Sequence, residues 1–292
     1  MSENQEKRLL KFSVIGCGFI FDRHVAAIEH IGGKLLMACD IDEEKKMKLD
    51  SDVEFFTKVG DMVTLEKFNK EVDWVVICTP NYTHGELIKK VLKRGKNVLC
   101  EKPLVLSVKE LEEIRELEAR WGAKVYTVLQ LRTSDKLKEL RESLGDNNNV
   151  DINISMKRGD FYWDGWKGKE TQSGGLLFNI GVHYFDLLLW LFGECLDFNV
   201  DYLSVKEGAG TLRLKKADIK WHINLKADKD NQYRVFEING ERLNLTRILE
   251  NLHNKVYEQL LKGKGTTLKE VAPIIDLCEA MTNTYDIGGT LD

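Results

Sequence analysis

The chain is short of the residues that interrupt or staple a fold. Only three prolines occur in 292 residues, so Pro80 and Pro103, each just beyond an apolar run, stand out as deliberate stops. Six cysteines include no Cys-x-x-Cys pair. Cys17, Cys39, Cys78 and Cys100 sit at or beside the ends of apolar runs, which suits small buried residues and not a disulfide framework or a zinc set. No metal is expected, and a reducing, cytoplasmic setting is the default. Positive charge is not in excess either. Lys and Arg number 43 against 47 Asp and Glu, giving −4, so nothing attracts the chain to nucleic acid in general. No apolar run reads as long enough to span a bilayer, and the charged N-terminus is not a signal peptide. No membrane partner is expected, and neither repeats nor low-complexity segments occur.

What is present in the first half is an alternation of strands and helices. Leu10–Ile15 reads as a strand running into Gly16-Cys17-Gly18-Phe19-Ile20-Phe21, with a helix over 22–30. Two glycines after a strand allow a tight turn and let a pyrophosphate rest on the helix N-terminus. Phe21 stands where the usual third glycine would be. A second strand, Leu35–Cys39, ends at Asp40, about 20 residues on, where an acid accepts from an adenosine ribose hydroxyl. No Arg follows it directly, and an acid there repels a 2′-phosphate, so NAD is expected over NADP.

Trp74–Cys78 is a further strand, followed by the loop Thr79-Pro80-Asn81-Tyr82-Thr83-His84 and a helix that Gly95 stops. Asn97-Val98-Leu99 leads into Cys100-Glu101-Lys102-Pro103. Pro103 cannot donate to a central ladder, so a Glu-Lys pair sits where a strand ends and the chain turns. Ser107 and Glu110 form a capping box for the next helix, and Val125–Leu129 is the last strand of the series. This pattern predicts a doubly wound α/β Rossmann domain over 1–130. Residues 1–8 are polar and expected to fray.

The second half reads differently. Strands are predicted at 151–156, 199–206, 211–214 and 219–227, with Gly208 and Gly210 as a turn, and Asn239-Gly240 marks a hairpin between 235–238 and 242–245. Strands in succession imply a largely antiparallel open sheet in an α+β domain over 131–292. Its free face is expected to be apolar, with Leu203, Leu212, Leu214, Ile219, Trp221 and Ile223 as contributors, and to mediate self-association. Helices at about 247–262 and 268–287 close the chain.

Two constellations carry chemistry. Lysine at a strand end can move a proton once burial or neighbouring cations lower its pKa; the bland alternative for Glu101-Lys102 is a salt-bridged strand cap. Farther on, Asn179, His183 and Asp186 are spaced to share a helix face. Histidine is the usual proton shuttle near neutral pH; the alternative is a core histidine bonded to Asp186.

The strand with Glu101-Lys102-Pro103, the Thr79-Pro80-Asn81-x-x-His84 loop and the Gly181-x-His183-x-x-Asp186 helix resemble the Gfo/Idh/MocA oxidoreductases. A narrower resemblance, to the UDP-N-acetylglucosaminuronate 3-dehydrogenases, is carried by 78–84, 100–105, Leu129-Gln130-Leu131-Arg132, Lys157 through Trp163, Trp166-Lys167-Gly168, 179–186 and Tyr233-Arg234. The broad family has Asp where Asn179 stands; the narrower group has Asn.

The resemblance implies oxidation of the C3′ hydroxyl of UDP-linked N-acetylglucosaminuronate (UDP-GlcNAcA) with NAD, in biosynthesis of diacetamido sugars of surface polysaccharide (lipopolysaccharide), by a homotetramer. It implies Lys102 and His183 as the catalytic pair. Gly16, Gly18, Phe19, Ile20, Asp40, Thr79, Pro80, Asn81, His84, Glu101, Lys102, Gln130 and Trp166 are the expected cofactor contacts. Lys102, Arg132, Lys157, Arg158, Lys167, Asn179, His183 and Arg234 are expected at the substrate, whose diphosphate and carboxylate call for cations in a negatively charged chain. A dehydrogenase of another sugar or inositol, and a non-catalytic NAD-binding regulator, are the other readings. Which of Lys102 and His183 is the base stays open.

Overall fold

The computed structural model describes residues 8–243, 245 and 252–288. The first half is a Rossmann unit. Its parallel strands are β1 (Lys11–Ile15), β2 (Lys34–Cys39), β3 (Glu54–Phe56), β4 (Trp74–Ile77), β5 (Asn97–Cys100) and β6 (Val125–Thr127). Between them run α1 (Phe21–His30), α2 (Val59–Thr64), α3 (Glu66–Glu71), α4 (His84–Leu92) and α5 (Val108–Trp121). The order 6-5-4-1-2-3 reverses between β4 and β1, so a crevice opens beyond their carboxyl ends. Both faces of this sheet are covered, and β4 is buried along its whole length, which is why it reads as a continuous apolar run. Helix α5 begins as its capping box predicts. Ser107 Oγ accepts from the Glu110 N–H at 3.2 Å, and Gly122 closes the helix in the left-handed region.

The second half comprises α6 (Asp135–Ser143), β7 (Asn148–Ser155), α7 (Asp160–Asp164), α8 (Glu170–Ser173), α9 (Val182–Phe192), β8 (Cys195–Leu203), β9 (Glu207–Leu214), β10 (Ala217–Asn224), β11 (Tyr233–Ile238) and β12 (Glu241–Leu243). The six strands form one sheet in the order 12-11-7-10-9-8, antiparallel except where β10 lies beside β7. The chain ends with α10 (Leu252–Leu261), β13 (Thr266–Thr267) and α11 (Leu268–Gly288).

These last elements cross the division at residue 131 expected from sequence. Helix α10 packs on α1, and β13 pairs antiparallel with β6 at the edge of the first sheet. The start of the helix expected from 247, and residues 1–7, lie outside the described residues.

Three expectations are corrected. Leu212, Leu214, Ile219, Trp221 and Ile223 are 3% exposed or less and point to the covered face, where Trp221 meets Phe185 edge-on at 5.3 Å. The free face instead carries Asp151, Thr211, Arg213, Asp218 and Lys220. It is polar, because alternation sends every second residue outward. Gly208 and Gly210 lie inside β9, not in a turn: a Cβ on Gly210 would meet the Asn199 carbonyl and the Trp221 ring. The turn is at Ser204, whose hydroxyl accepts the Lys206 and Glu207 N–H groups. Finally, the helical run Glu170–Phe192 is long and apolar enough to cross a bilayer, but 89% of its apolar window is buried inside the protein. It is a core helix by packing.

Candidate active site

A cavity of about 830 Å³ opens at the reversal of strand order, within the size range of cofactor and ligand pockets. Gly16, Gly18, Phe19, Ile20 and Asp40 line one end; Glu101, Lys102, Trp166, Lys167 and Asn179 line the other; Thr79, Pro80 and Asn81 lie between. Gly16 adopts φ +96°, and a Cβ there would come within 2.8 Å of the Cys78 carbonyl, so only glycine fits. Phe21 begins α1 and is buried in the core, so a third glycine has no task here. Asp40 accepts the Cys17 N–H at 2.7 Å and the Asp42 N–H at 2.9 Å. Both bonds fix its carboxylate at the cavity rim with lone pairs to spare. Thr57 to Gly60, beyond β3, form another wall that the sequence reading missed; a three-residue strand is too short to show a period.

The Lys102–Pro103 bond is cis, and the turn holds Lys102 beneath the cavity. Its ammonium donates to the Asn179 carbonyl at 3.0 Å. Burial pushes the Lys102 pKa down, Glu101 pulls it up, and Lys167 and Arg158 push it down again, leaving it at about 8. Asn179 sits in a π-helical turn, Leu177–Gly181, which then becomes α9 with His183 in its first turn. The Asn179 side-chain amide donates to the Tyr162 hydroxyl at 2.7 Å. Burial, then the Lys102 charge, lowers the His183 pKa to about 3, so its imidazole is neutral.

Asp186 does not join this face. It accepts two bonds from Arg132, at 2.6 and 3.0 Å, in a buried pair. This corrects the placement of Arg132 at the substrate: its guanidinium is occupied, and it lines a separate cavity beside Leu189 and Trp190. The core pairing of His183 with Asp186 is absent for the same reason. His84 is likewise no cofactor contact. It is fully buried, with Nδ1 2.8 Å from the Pro103 carbonyl and Nε2 2.9 Å from the Thr79 carbonyl, so it ties the two cofactor loops together. Gln130 and Lys157 are not among the residues lining the cofactor cavity, and Lys157 is exposed. Asn81 lines the cavity and also donates to the Ser173 carbonyl at 2.8 Å, joining the two halves of the chain.

Arg158 and Arg234 both reach the Met156 sulfur, at 3.7 and 3.3 Å. Thioether sulfur is a weak acceptor, and the buried Arg158 Nε has no partner at all. The Arg158 guanidinium and the Lys167 ammonium lie 5.2 and 5.5 Å from the centre of the Tyr162 ring. Among the described residues, none of Arg158, Lys167 and Arg234 makes an ion pair, and Lys102 has Glu101 as its one neighbouring acid. Tyr162 was not singled out from sequence as a site residue; only the fold brings it to Asn179.

A parallel sheet with a glycine turn, an acid after β2 and a lysine at a strand end defines a dinucleotide-dependent oxidoreductase. Comparison with known proteins agrees. Residues 10–129 match the oxidoreductase family with an NAD-binding Rossmann fold, and residues 136–241 match the GFO/IDH/MocA C-terminal domain. The crystal structure of the WlbA (WbpB) dehydrogenase from Thermus thermophilus with NAD and alpha-ketoglutarate superposes with a TM-score of 0.88 at 34% identity, covering 94% of each chain. The same enzyme with NAD and UDP-GlcNAcA gives 0.86. Glucose-6-phosphate 3-dehydrogenase of Bacillus subtilis is 24% identical over 87% of this chain and 67% of its own length. Inositol 2-dehydrogenase of Rhodococcus jostii is 33% identical, over only 47% of this chain and 38% of its own. The chain belongs to the Gfo/Idh/MocA family and is an NAD-dependent oxidoreductase.

Proposed function

We propose that the protein oxidises the C3′ hydroxyl of a UDP-linked N-acetylated hexuronic acid, UDP-GlcNAcA, to the 3-keto sugar. The observation that carries this reading is the group of Lys102 and Lys167 on the cofactor cavity, with Arg158 near enough to depress the Lys102 pKa, set against the single acid Glu101 in a chain of net charge −4. Such a group costs stability unless an anion arrives. A carboxylate and a diphosphate on one substrate would fill it. The WlbA relative, crystallised with UDP-GlcNAcA, supports the choice over a neutral inositol or free sugar. The step would serve synthesis of surface polysaccharide in the cytoplasm. Self-association as a homotetramer is part of the proposal; with the free sheet face polar, any contact made there is polar, and light scattering tests it.

NAD, held by Gly16, Gly18, Asp40 and the Thr79–Asn81 loop, would supply the hydride acceptor for C3′. Lys102, with a pKa of about 8, is poised near operating pH as the base for the hydroxyl proton. Neutral His183 orients the hydroxyl. Asn179 holds Lys102 through its carbonyl and Tyr162 through its amide. The test is single-turnover NADH formation with UDP-GlcNAcA against pH. The rate should climb as pH rises through about 8. Lys102→Ala and His183→Asn should each lose a hundred- to ten-thousand-fold, roughly, with NAD affinity largely kept. A flat profile removes Lys102 as the base. Near-normal turnover in His183→Asn returns that histidine to a structural role.

A further inference from the structure

Behind Lys102, Glu101 joins a polar network with His24, His253 and Tyr257, three residues that neither the sequence reading nor the reaction above uses. Glu101 is largely buried, with 13% of its side chain exposed. Its Oε2 accepts the Lys102 backbone N–H at 3.2 Å. Its Oε1 lies 3.1 Å from His24 Nε2 on α1 and 3.5 Å from His253 Nε2 on α10. His24 Nδ1 lies 2.9 Å from the hydroxyl of Tyr257, which is fully buried. A carboxylate only accepts when ionised, so His24 carries its proton on Nε2, and its Nδ1 accepts from Tyr257. His253 is 91% buried by side chain and residue alike to within a few per cent, and its Nε2 has no hydrogen-bond partner. Glu101 Oε1 is the acceptor that it faces.

Two histidines and a carboxylate can also hold a divalent metal, and these ligand atoms lie within 4.8 Å of one another. The surroundings argue otherwise. Lys102 adjoins this carboxylate, and Lys167 and Arg158 bear on Lys102, so positive charge already surrounds the pair. Glu101 already accepts the Lys102 N–H and the His24 Nε2–H, and His253 Nε2 faces it at 3.5 Å.

The geometry points to His24 and His253 as positioning residues of the reaction: by holding Glu101 as a fixed, ionised carboxylate, they keep the turn aimed and a counter-ion beside Lys102. The inference rests on the reading of Lys102 as the base. The groups that face Lys102 are Glu101 from its own turn, His183 from α9, Lys167 and Arg158 from the segments around α7, and the Asn179 carbonyl. Of these only Glu101 is anionic. Burial alone would protonate a carboxylate, and both histidines oppose that. Removing their N–H donors lets Glu101 take up a proton. Lys102 then loses its one anion and gives up its own proton at lower pH. Helix α10 follows the second sheet in sequence, so the arrangement also makes the reactive lysine depend on the docking of the chain's C-terminal part onto α1.

The test is an NMR titration of ¹³Cε-labelled lysine in the full chain with NAD bound, with Lys102 assigned through Lys102→Arg. Glu101→Gln should lower the Lys102 midpoint by about one pH unit. His253→Leu should move it the same way by about half as much or more. His253→Gln, which keeps an amide N–H near the Nε2 position, should restore it. Tyr257→Phe removes a single oxygen and releases His24, and should give a smaller shift of the same sign. A wild-type midpoint in both His253→Leu and Tyr257→Phe overturns the inference. So does a failure of His253→Gln to restore, or a stoichiometric divalent metal in the purified protein that His253→Gln loses. The titration needs no sugar. Failure of the wild type to oxidise UDP-GlcNAcA would sink the substrate reading and leave this measurement to decide the role of the histidines.

Discussion

The two ends of the cofactor cavity are built on opposite plans. At the adenosine end, backbone geometry and one acid do the work, within a stretch from Gly16 to Asp40. Its polar groups are satisfied internally: both Asp40 oxygens already accept backbone N–H groups. At the reaction end, side chains converge from β5, α7, α9, β11 and the loops beside them, and several are left wanting partners. Arg158 Nε is unbonded, and the two guanidinium groups have only a methionine sulfur and tyrosine neighbours, with no acid. An end that is complete in itself can be stable without ligand. An end with unfilled cations is stabilised by its substrate, and it carries a cost in the substrate's absence.

Arg132 and Arg158 break or sharpen this contrast most strongly, because sequence reading gave them the same job. Arg132 is paired with Asp186 in the core. Arg132→Met should strand that buried carboxylate and cost about 3–5 kcal/mol of unfolding free energy. The KM of the surviving enzyme should be unchanged. Arg158→Met should do the reverse: stability kept or slightly raised, and KM for an anionic substrate raised roughly ten- to a hundredfold, since bonds to charged groups contribute about 1.5–3 kcal/mol. Denaturant melts together with steady-state kinetics separate the two. A KM effect at Arg132 equal to that at Arg158 would put both at the substrate and dissolve the distinction.

The same contrast explains what could be read from the chain. The Rossmann half was legible because each of its signals is local. A glycine turn follows its strand, Ser107 and Glu110 lie three apart, and Asp40 ends β2. Lys102 and His183 were legible from their own segments only as types of chemistry, and their pairing came from the family resemblance, because the two lie in different halves of the chain. Asp186 misled for a physical reason. Helical spacing fixes which residues share a face, not which partner from another element claims them, and Arg132 reaches Asp186 from the turn after β6. The apolar patch expected on the second sheet failed similarly. Alternation was read correctly, but nothing local says which face the helices cover. His24 and His253 carried no sequence signal, since a lone histidine in a helix most often is a satisfied core residue.

A second prediction concerns the cost of the unfilled end. The folded-state pKa of Lys102 is about 8, against about 10.4 in an unfolded chain. Below pH 8 the lysine is protonated in both states, and the folded state bears the full cost of the buried charge. Between pH 8 and 10.4 the folded lysine is neutral, so stability rises with pH. Lys102→Met should therefore stabilise the ligand-free protein at pH 7 by about 3 kcal/mol. The gain should shrink as pH rises from 8 and vanish above about 10.4. Urea melts at pH 7 and pH 10 measure it. A loss of stability at pH 7 would mean that the cation is welcome where it sits.

The smallest expected effect belongs to the complete end, and it tests whether that end selects its cofactor. Asp40 holds its carboxylate at the rim by accepting from Cys17 and Asp42. In that orientation it can take the ribose hydroxyls of NAD, and its charge opposes the 2′-phosphate of NADP. Asp40→Asn keeps the size and one acceptor oxygen but removes the charge. NAD should bind about tenfold more weakly, NADP somewhat more tightly, and the preference between them should narrow by at least that factor. Calorimetry on both cofactors provides the ratio directly. Lys58, across the rim beyond β3, also lines the cavity and is a cation within the same end. If wild type binds the two cofactors equally, Lys58 offsets Asp40, and Lys58→Ala should then restore a preference for NAD. If the ratio is large in wild type and unmoved in Asp40→Asn, the selection does not come from this acid. The adenosine end would then discriminate by the shape of its Thr57–Gly60 wall, the part of the cavity that left no trace in the sequence pattern.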